Sequence, residues 1–381
     1  MGFVLTELHL RDFRNHTVFD LCQPVGDIII VGPNAIGKSS ILEAVQLLTI
    51  LQSFRTSNWQ DLVREGAEQS RISGRFSDAG RVLDVELTIN NGKREYLFNG
   101  KKRRLSEFSE NIPTILFTPD DLNLVKGPAE QRRLCLDDLG KRLSKQYYQI
   151  YTDYQKTLRQ RNSILREQQK KRYLGSLPSQ AELAWDTRLA ELGALLTTHR
   201  YRLYQRLMEK AIQHYQQLAV SEQLSAAYIP SYHWPDKTAL LSLPTKTEVQ
   251  EQLLQLIDVR RQEEYNRGTS LVGPHRDELC FFINGQEARG FVSQGQQRSI
   301  ALAVKIAELD MLKEISGGEA ILLLDDVLSE LDKDRRERLL NLCQEVSQSF
   351  ITTTDISSLP EQYYQTGTLI ELGAPDAVHP G

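Results

Sequence analysis

The 381-residue sequence is short of the features that mark secreted, membrane or fibrous chains. Its four cysteines, Cys22, Cys135, Cys280 and Cys343, lie far apart with no C-x-x-C pair. That spacing excludes a disulfide framework or a thiolate metal site, and predicts small, reduced, buried residues in a cytosolic protein. No apolar run approaches the roughly 20 residues of a membrane-spanning helix. The opening MGFVLTELHLRDFRN has no basic leader followed by an apolar core, so no secretory signal is expected. Met1-Gly2 is set aside as a myristoylation start because Leu5 and Thr6 fall in a strand pattern. Internal repeats and low-complexity tracts are missing too. Neither sign of charge dominates: 46 Lys and Arg stand against 50 Asp and Glu, for a net charge of −4 and a pI near 6.1. This excludes a uniformly basic nucleic-acid coat and requires any such contact to come from a local patch.

What is present is an ordinary globular composition, 40% hydrophobic and 25% charged, in a chain long enough for two domains with cores of their own. The organising stretch is Gly32, Pro33, Asn34, Ala35, Ile36, Gly37, Lys38, Ser39 and Ser40. It follows the apolar run Ile28–Val31 and precedes a helical pattern carrying Ile41, Val45 and Leu48 on one face. Strand, G-x-x-x-x-G-K-S loop and helix together make a phosphate loop. Glycines let backbone N–H groups turn toward phosphate oxygens, and the helix adds the positive end of its dipole. Lys38 is expected on the β- and γ-phosphates of ATP and the Ser39 hydroxyl on Mg²⁺.

Around this unit the chain predicts a first strand over 2–14, a partner near Val18–Leu21, and a polar loop from Gln52 to Gly66 with Phe54 and Trp59, where nucleotide ATPases often place a base-stacking segment. From Arg71 to Gly100 apolar residues alternate with period two, with turns at Asn91-Gly92 and Asn99-Gly100, as in an antiparallel meander. Lys101, Lys102, Arg103 and Arg104 follow it, either a solvated face or a phosphate-binding patch on DNA. After a strand at Ile112–Phe117, Leu136, Leu139, Leu143, Ile150, Tyr154 and Leu158 recur at near-heptad spacing. A Gly/Pro turn at Leu174–Ser179 leads to a second stripe of Trp185, Leu189, Leu192, Leu196, Leu203 and Leu207. The pair predicts an antiparallel helical hairpin, as a projecting arm or a compact subdomain. Tyr228–Pro244 is expected to be irregular, and one further helix to run over 248–268.

The nucleotide domain is then expected to resume, with a hairpin at Asn284-Gly285 between strands Leu279–Ile283 and Ala288–Val292. The apolar strand Ala320–Leu324 ends in Asp325-Asp326, a Walker B pattern; Asp325 would anchor Mg²⁺ beside Ser39 and Asp326 would orient the attacking water. Two segments resemble the signature loop of ABC-type ATPases, Ser293, Gln294, Gly295 and Gln296, and Ser316–Glu319. Only the first opens a helix able to face a γ-phosphate, so it is preferred. Ser329–Asp332 resembles a D-loop, and Asp332 also suits a helix N-cap. In ABC-type enzymes such a signature completes the phosphate loop of a second copy, which makes ATP the glue of a two-fold homodimer. No His/Asp/Glu cluster with metal-ligand spacing is found beyond these residues, which argues against a nuclease.

LHLRDFRNH, GPNAIGKSS, FTPDDLNLVKG with Arg132, Arg133 and Asp137, SLVGPHRDE, SQGQQRS and LLLDDVLSELD occur in order along nearly the whole chain. In these segments it resembles the RecF family of bacterial recombination-mediator ATPases, relatives of the structural-maintenance-of-chromosomes heads. The resemblance implies an α/β ABC-type P-loop ATPase head, a parallel core sheet plus the antiparallel meander, formed by 1–120 and 268–381 and interrupted by an α-helical lobe over 121–267. It also implies ATP-dependent dimerisation, binding of double-stranded and gapped or single-stranded DNA, slow DNA-stimulated ATP hydrolysis, and work with RecR and RecO to load RecA. Departures from the family pattern are Gly127-Pro128-Ala129, Asp326 in place of the usual glutamate, and Thr352–Asp355 where many ABC proteins carry a switch histidine. His275 is the other candidate for that switch, against a structural role beside Pro274. No Q-loop glutamine is evident, and Asp120 and Asp121 are the substitutes near the metal. The competing reading is a head that scaffolds protein partners and holds ATP as a folding ligand, which the acidic net charge favours.

Overall fold

The computed structural model describes residues 2–102, 112–171, 178–233, 236, 238–242, 244–317 and 320–373. In chain order the first part forms β1 (Val4–Phe13), β2 (His16–Cys22), β3 (Ile28–Val31), α1 (Lys38–Thr49), β4 (Gln69–Asp78), β5 (Arg81–Asn90), β6 (Lys93–Phe98), β7 (Lys101–Lys102) and β8 (Thr114–Phe117). The middle forms α2 (Ala129–Leu143), α3 (Lys145–Lys171), α4 (Gln180–Leu218), β9 (Leu224–Ile229), α5 (Lys246–Val259), α6 (Arg261–Arg267), β10 (Glu278–Ile283), β11 (Gln286–Glu287) and α7 (Ala288–Phe291). The last part forms α8 (Gln294–Ser316), β12 (Ile321–Asp325), α9 (Lys333–Cys343), β13 (Gln348–Thr353), α10 (Glu361–Thr366) and β14 (Thr368–Glu371).

The chain divides into two compact units, residues 1–121 with 309–381, and residues 122–308. In the first, a parallel sheet of order β14-β3-β13-β12-β8 and an antiparallel sheet of order β2-β1-β4-β5-β6-β7 share a core. Helix α1 contributes to both: every residue except Ser39 is buried, which is the mark of a helix enclosed on all sides. Its apolar residues meet Leu5, Leu8, Ile72, Phe76 and Leu87 of the antiparallel sheet and Ile28, Ile30, Leu323 and Phe350 of the parallel one. The meander follows the alternation of its sequence, Leu83, Val85, Leu87 and Ile89 pointing inward from β5. Asn91 and Gly92 both have positive φ (49° and 70°), the type I′ geometry an Asn-Gly hairpin favours.

In the second unit α3 and α4 run antiparallel, since Arg161 bonds Asp186 while Gly193 lies against Tyr154. Helix α3 also packs on α2 and α6, and α4 on α5 and β9, so the hairpin is part of a compact helical body. The heptad pattern breaks at Ser144, which separates α2 from α3. Helices α4 and α5 each start with a full capping box, Ser179 with Glu182 and Thr245 with Glu248.

Several sequence expectations differ. Strand β9 lies where an irregular stretch was expected to begin, and it pairs along its whole length with β10. That pairing explains why 268–308 stays with the helical unit and the division falls at Leu309 instead of at 268. The expected strand Ala288–Val292 is instead the short helix α7, and the return strand of the hairpin is the two residues of β11 just before it. The expected helix over 248–268 is two helices, α5 and α6, meeting at Arg260. Strand β14 was not anticipated; it pairs parallel with β3 and covers the edge beside the phosphate loop.

Candidate functional site

Strands β3, β12 and β13 lie side by side and parallel, so their C-terminal ends share one rim. The phosphate loop leaves β3 at that rim. Gly37 adopts φ 115°, and a Cβ there would sit 2.5 Å from His16 Nε2 and 2.8 Å from Asn15, so only glycine fits. Gly32 is equally constrained by space, with Leu372 O 2.5 Å from where a Cβ would stand. Helix α1 begins at Lys38 with no acidic residue in its first turn, which leaves its positive end free of side-chain compensation. The buried Lys38 ammonium donates to Gly32 O (2.8 Å) and Pro33 O (3.1 Å) and lies 3.5 Å from Asp326.

The Ser39 hydroxyl donates to Asp325 Oδ1 at 2.7 Å across 286 residues of sequence. Thr352 Oγ1 donates to the same oxygen at 2.9 Å and accepts from Asp326 N at 2.9 Å. One β13 hydroxyl thus ties both carboxylate positions to the neighbouring strand. Burial pushes the Asp325 carboxyl above the usual carboxylate range, against the two hydroxyl hydrogen bonds that lower it. Asp326 sits in the left-handed region at φ 49°, a strained conformation for a residue that is not glycine. The Ser39 hydroxyl and one oxygen-donor carboxylate beside a phosphate loop fit Mg²⁺, which takes few protein ligands and completes its shell with phosphates and water. Among the described residues no three His, Cys, Asp or Glu gather as a closed metal cage.

A pocket of about 490 Å³ extends from this rim, lined among others by Arg14, Asn15, Ser39, Arg55, Val63 and Asp326. Its cationic wall has a buried anchor. Glu43, fully enclosed on α1, accepts from Arg14 Nε (2.9 Å) and Nη2 (2.7 Å) and from Ser53 Oγ (2.5 Å), with Arg55 at 3.8 Å. His16, whose pKa burial lowers, faces Gly37 O at 3.1 Å; the neutral ring's Nε2–H donates to that carbonyl. Glu43, Arg14 and His16 escaped sequence reasoning, and Thr352 was read there only as standing where a switch histidine is usual, not as a partner of Asp325. The signal for His16 and Arg14 was the RNH turn after the first strand, and for Thr352 its place at the end of a core strand.

The remaining expected residues lie as follows. Ser293 and Gln294 are exposed at the start of α8; Ser293 Oγ accepts from Gln296 N (3.2 Å) and Gln296 Oε1 accepts from Ser293 N (2.8 Å), a reciprocal cap. Gly295 is half-buried, and Gln296 Nε2 donates to Glu222 (2.9 Å). Ser316 ends α8, and Gly317 follows with φ 63°, a helix C-terminus whose carbonyls disfavour phosphate; Gly318 and Glu319 lie outside the described residues. Asp332 caps α9 through Arg335 N at 3.0 Å. Lys101 and Lys102 are exposed on β7, with Lys102 ion-paired to Glu95; Arg103 and Arg104 lie outside the described residues. Asp121 closes a turn, accepting from Thr118 N (2.8 Å) and Oγ1 (2.9 Å). His275 is half-buried in the second unit, against Tyr154 OH (2.6 Å) and Ser270 O (3.1 Å), in a structural setting.

The same sequence matches the family model described as RecF/RecN/SMC N terminal domain over residues 4–368. It is 37% identical to the DNA replication and repair protein RecF of Rippkaea orientalis, over 99% of each chain. The chain belongs to the RecF family. It is 38% identical to the RecF of Microcystis aeruginosa, over 97% of this chain and 98% of that one. A solved RecF structure described as the recombination mediator with ATPrS in the RecFOR pathway superposes with a TM-score of 0.84 at 30% identity, covering 94% of each chain. The Smc head of Pyrococcus furiosus, at TM-score 0.51 and 14% identity over 97% of this chain and 93% of that one, shares the fold. The fold is therefore the ABC-type ATPase head, and membership makes the chain a DNA replication and repair protein of the recombination-mediator class. No described helix is long and apolar enough to cross a membrane.

Proposed function

We propose that the chain is an ATP-gated, DNA-binding recombination mediator that acts in the cytoplasm. The observation that carries this reading is the Ser39–Asp325 bond of 2.7 Å, which joins the phosphate loop to the end of β12. ATP binds with its phosphates on the loop amides and Lys38. Ser39 and Asp325 would hold Mg²⁺, which would supply charge neutralisation on the bound phosphates. Asp326, one methylene shorter than glutamate, orients water less closely, which suits slow turnover. Thr352 keeps Asp325 and Asp326 aligned.

Ser293, Gln294, Gly295 and Gln296 complete the γ-phosphate shell of a second copy. The exposed Ser293 at a helix start supports that role. ATP then joins two copies and hydrolysis parts them. A relative described as a recombination mediator in the RecFOR pathway supports RecR and RecO as partners; double-stranded and gapped or single-stranded DNA is the proposed substrate and RecA loading the proposed outcome.

Sedimentation velocity tests the reading. The unaltered protein should dimerise with ATP and not with ADP or without nucleotide. Lys38→Arg and Ser293→Arg should stay monomeric with ATP, and Asp326→Asn should hold the dimer after ATP is added once. Equal dimerisation of Ser293→Arg and the unaltered protein would overturn the composite site.

A further inference from the structure

A second cleft in the first unit borders the nucleotide pocket, shares Arg55 with it, and carries the Phe54 and Trp59 loop that the sequence also offers as a base-stacking segment for nucleotide. The pocket at the phosphate loop, about 490 Å³, is within the range that takes a complete small ligand, and it already runs from Asp326 and Ser39 to Arg14 and Val63. The second cleft measures about 460 Å³ and is lined by the loop after α1 and by β6, including Phe54, Arg55, Thr56, Trp59 and Arg94. Its lining contains no acidic residue. The Arg94 guanidinium lies 4.2 Å from the centre of the Trp59 ring, and among the described residues no carboxylate pairs with it. Arg55 shares the single charge of Glu43 with Arg14, so that trio keeps one positive charge in surplus. Asp61, a carboxylate of the same loop, is held by Thr56 Oγ1 and Asn58 Nδ2, both at 2.7 Å, and lines the other pocket.

Flat aromatic and guanidinium faces beside unneutralised positive charge suit a ligand that alternates flat rings with phosphates. We infer that this cleft binds an unpaired stretch of a DNA strand, a base stacking on the Phe54, Trp59 and Arg94 surfaces while flanking phosphates meet Arg55 and Arg94. A duplex hides its base faces within the helix, so only an unpaired segment can use such a platform. Stacking is indifferent to base identity, and the site is therefore sequence-tolerant. The inference rests on the DNA-binding reading above and assigns part of it to one place.

The test uses the full chain with Trp185→Phe and Trp234→Phe, leaving Trp59 as the sole tryptophan of the three. Oligothymidylate should quench its fluorescence to saturation, while ATP and a blunt duplex of equal length leave it unchanged. In parallel, anisotropy of labelled DNA reports total binding. Trp59→Ala or Arg94→Glu should weaken oligothymidylate binding by about tenfold, the scale of one lost base stack, and leave ATP affinity alone. Trp59→Tyr, which retains a ring, should restore most of it. Quenching by ATP alone would make the cleft part of the nucleotide pocket and overturn the inference. So would undiminished strand binding in Trp59→Ala and Arg94→Glu with no quenching, although DNA binding itself would then stand. Anisotropy showing no DNA binding under any nucleotide condition would remove the underlying reading as well.

Discussion

His275 illustrates how a single side chain can be settled by its surroundings. A histidine in a Gly-Pro-His-Arg-Asp string is open to a switch role by composition alone. In the structure burial lowers its pKa from 6.5 to about 3, and the nearby Arg133, Arg161 and Arg276 oppose the proton further. The ring is neutral, donating from Nε2 to Ser270 O and accepting at Nδ1 from Tyr154 OH. The sign of the linkage follows. The unfolded chain takes the proton below 6.5 and the folded chain resists it down to about 3, so the histidine's contribution is intact above 6.5 and is lost as pH falls through that window. Unfolding free energies from urea titrations between pH 7.5 and 5 should fall by up to about 1.4 kcal/mol per pH unit from this group. His275→Gln should be less stable at pH 7.5 and show a shallower slope. Equal slopes for the two proteins would show that His275 does not carry the acid sensitivity.

At the scale of elements, the decisive piece is the loop between β3 and α1. Its function depends on backbone shape, because the N–H groups must converge while side chains stay out. Gly37 meets both demands with φ 115° and no Cβ toward His16. Gly37→Ala should cost about 1–3 kcal/mol in backbone strain and displace His16 and Asn15. Binding of a fluorescent ATP analogue should drop by at least about tenfold, while far-ultraviolet circular dichroism keeps the folded spectrum, since about 1.4 kcal/mol already corresponds to that factor. Wild-type affinity in this variant would mean that the loop tolerates a different path. Strand β13 has a similar role with a side chain in place of a glycine: Thr352 reaches across to Asp325 and to the amide of Asp326. A threonine here cannot supply an imidazole, but its hydroxyl holds the Asp325 carboxylate and the backbone of Asp326.

For the whole molecule the unusual property is charge. A net charge of −4 is unhelpful for the DNA binding proposed above, which would have to draw on local concentrations of Arg and Lys. Bands of this kind show in salt titrations. Duplex affinity in the presence of ATP should fall with log-log slope near −0.9 per phosphate neutralised, and the slope should lessen when ATP is replaced by ADP if paired copies present the surface together. A flat salt response with every nucleotide would favour the scaffolding alternative, in which the head bridges protein partners. The second unit bears on that alternative through its buried ion network. Arg161 bonds Asp186 at 2.7 Å and Glu264 at 2.6 Å, and Arg200 holds Asp137 at 2.9 Å, all nearly or fully enclosed. Removing one partner from such a group leaves an uncompensated charge, so this unit is built to keep one conformation.

The phosphate loop, the Walker B strand, the meander with its Asn-Gly turns and the helical stripes were all legible in the sequence. Each depends on local chemistry or on a short period that survives without tertiary context. The start of a helix after Ser293 was legible in the same way, while its cap with Gln296 was seen only in the structure. What the sequence could not determine were features made by residues far apart in the chain. The pairing of β9 with β10 moved 268–308 into the helical unit, because a strand's partner is chosen by register and burial over the whole fold. Strand β14 found its place only beside β3. Thr352 gained its role because parallel neighbours bring a β13 hydroxyl within 2.9 Å of Asp325, 27 residues away along the chain. Local pattern set the parts and the motif chemistry; long-range strand order and burial decided which side chains meet.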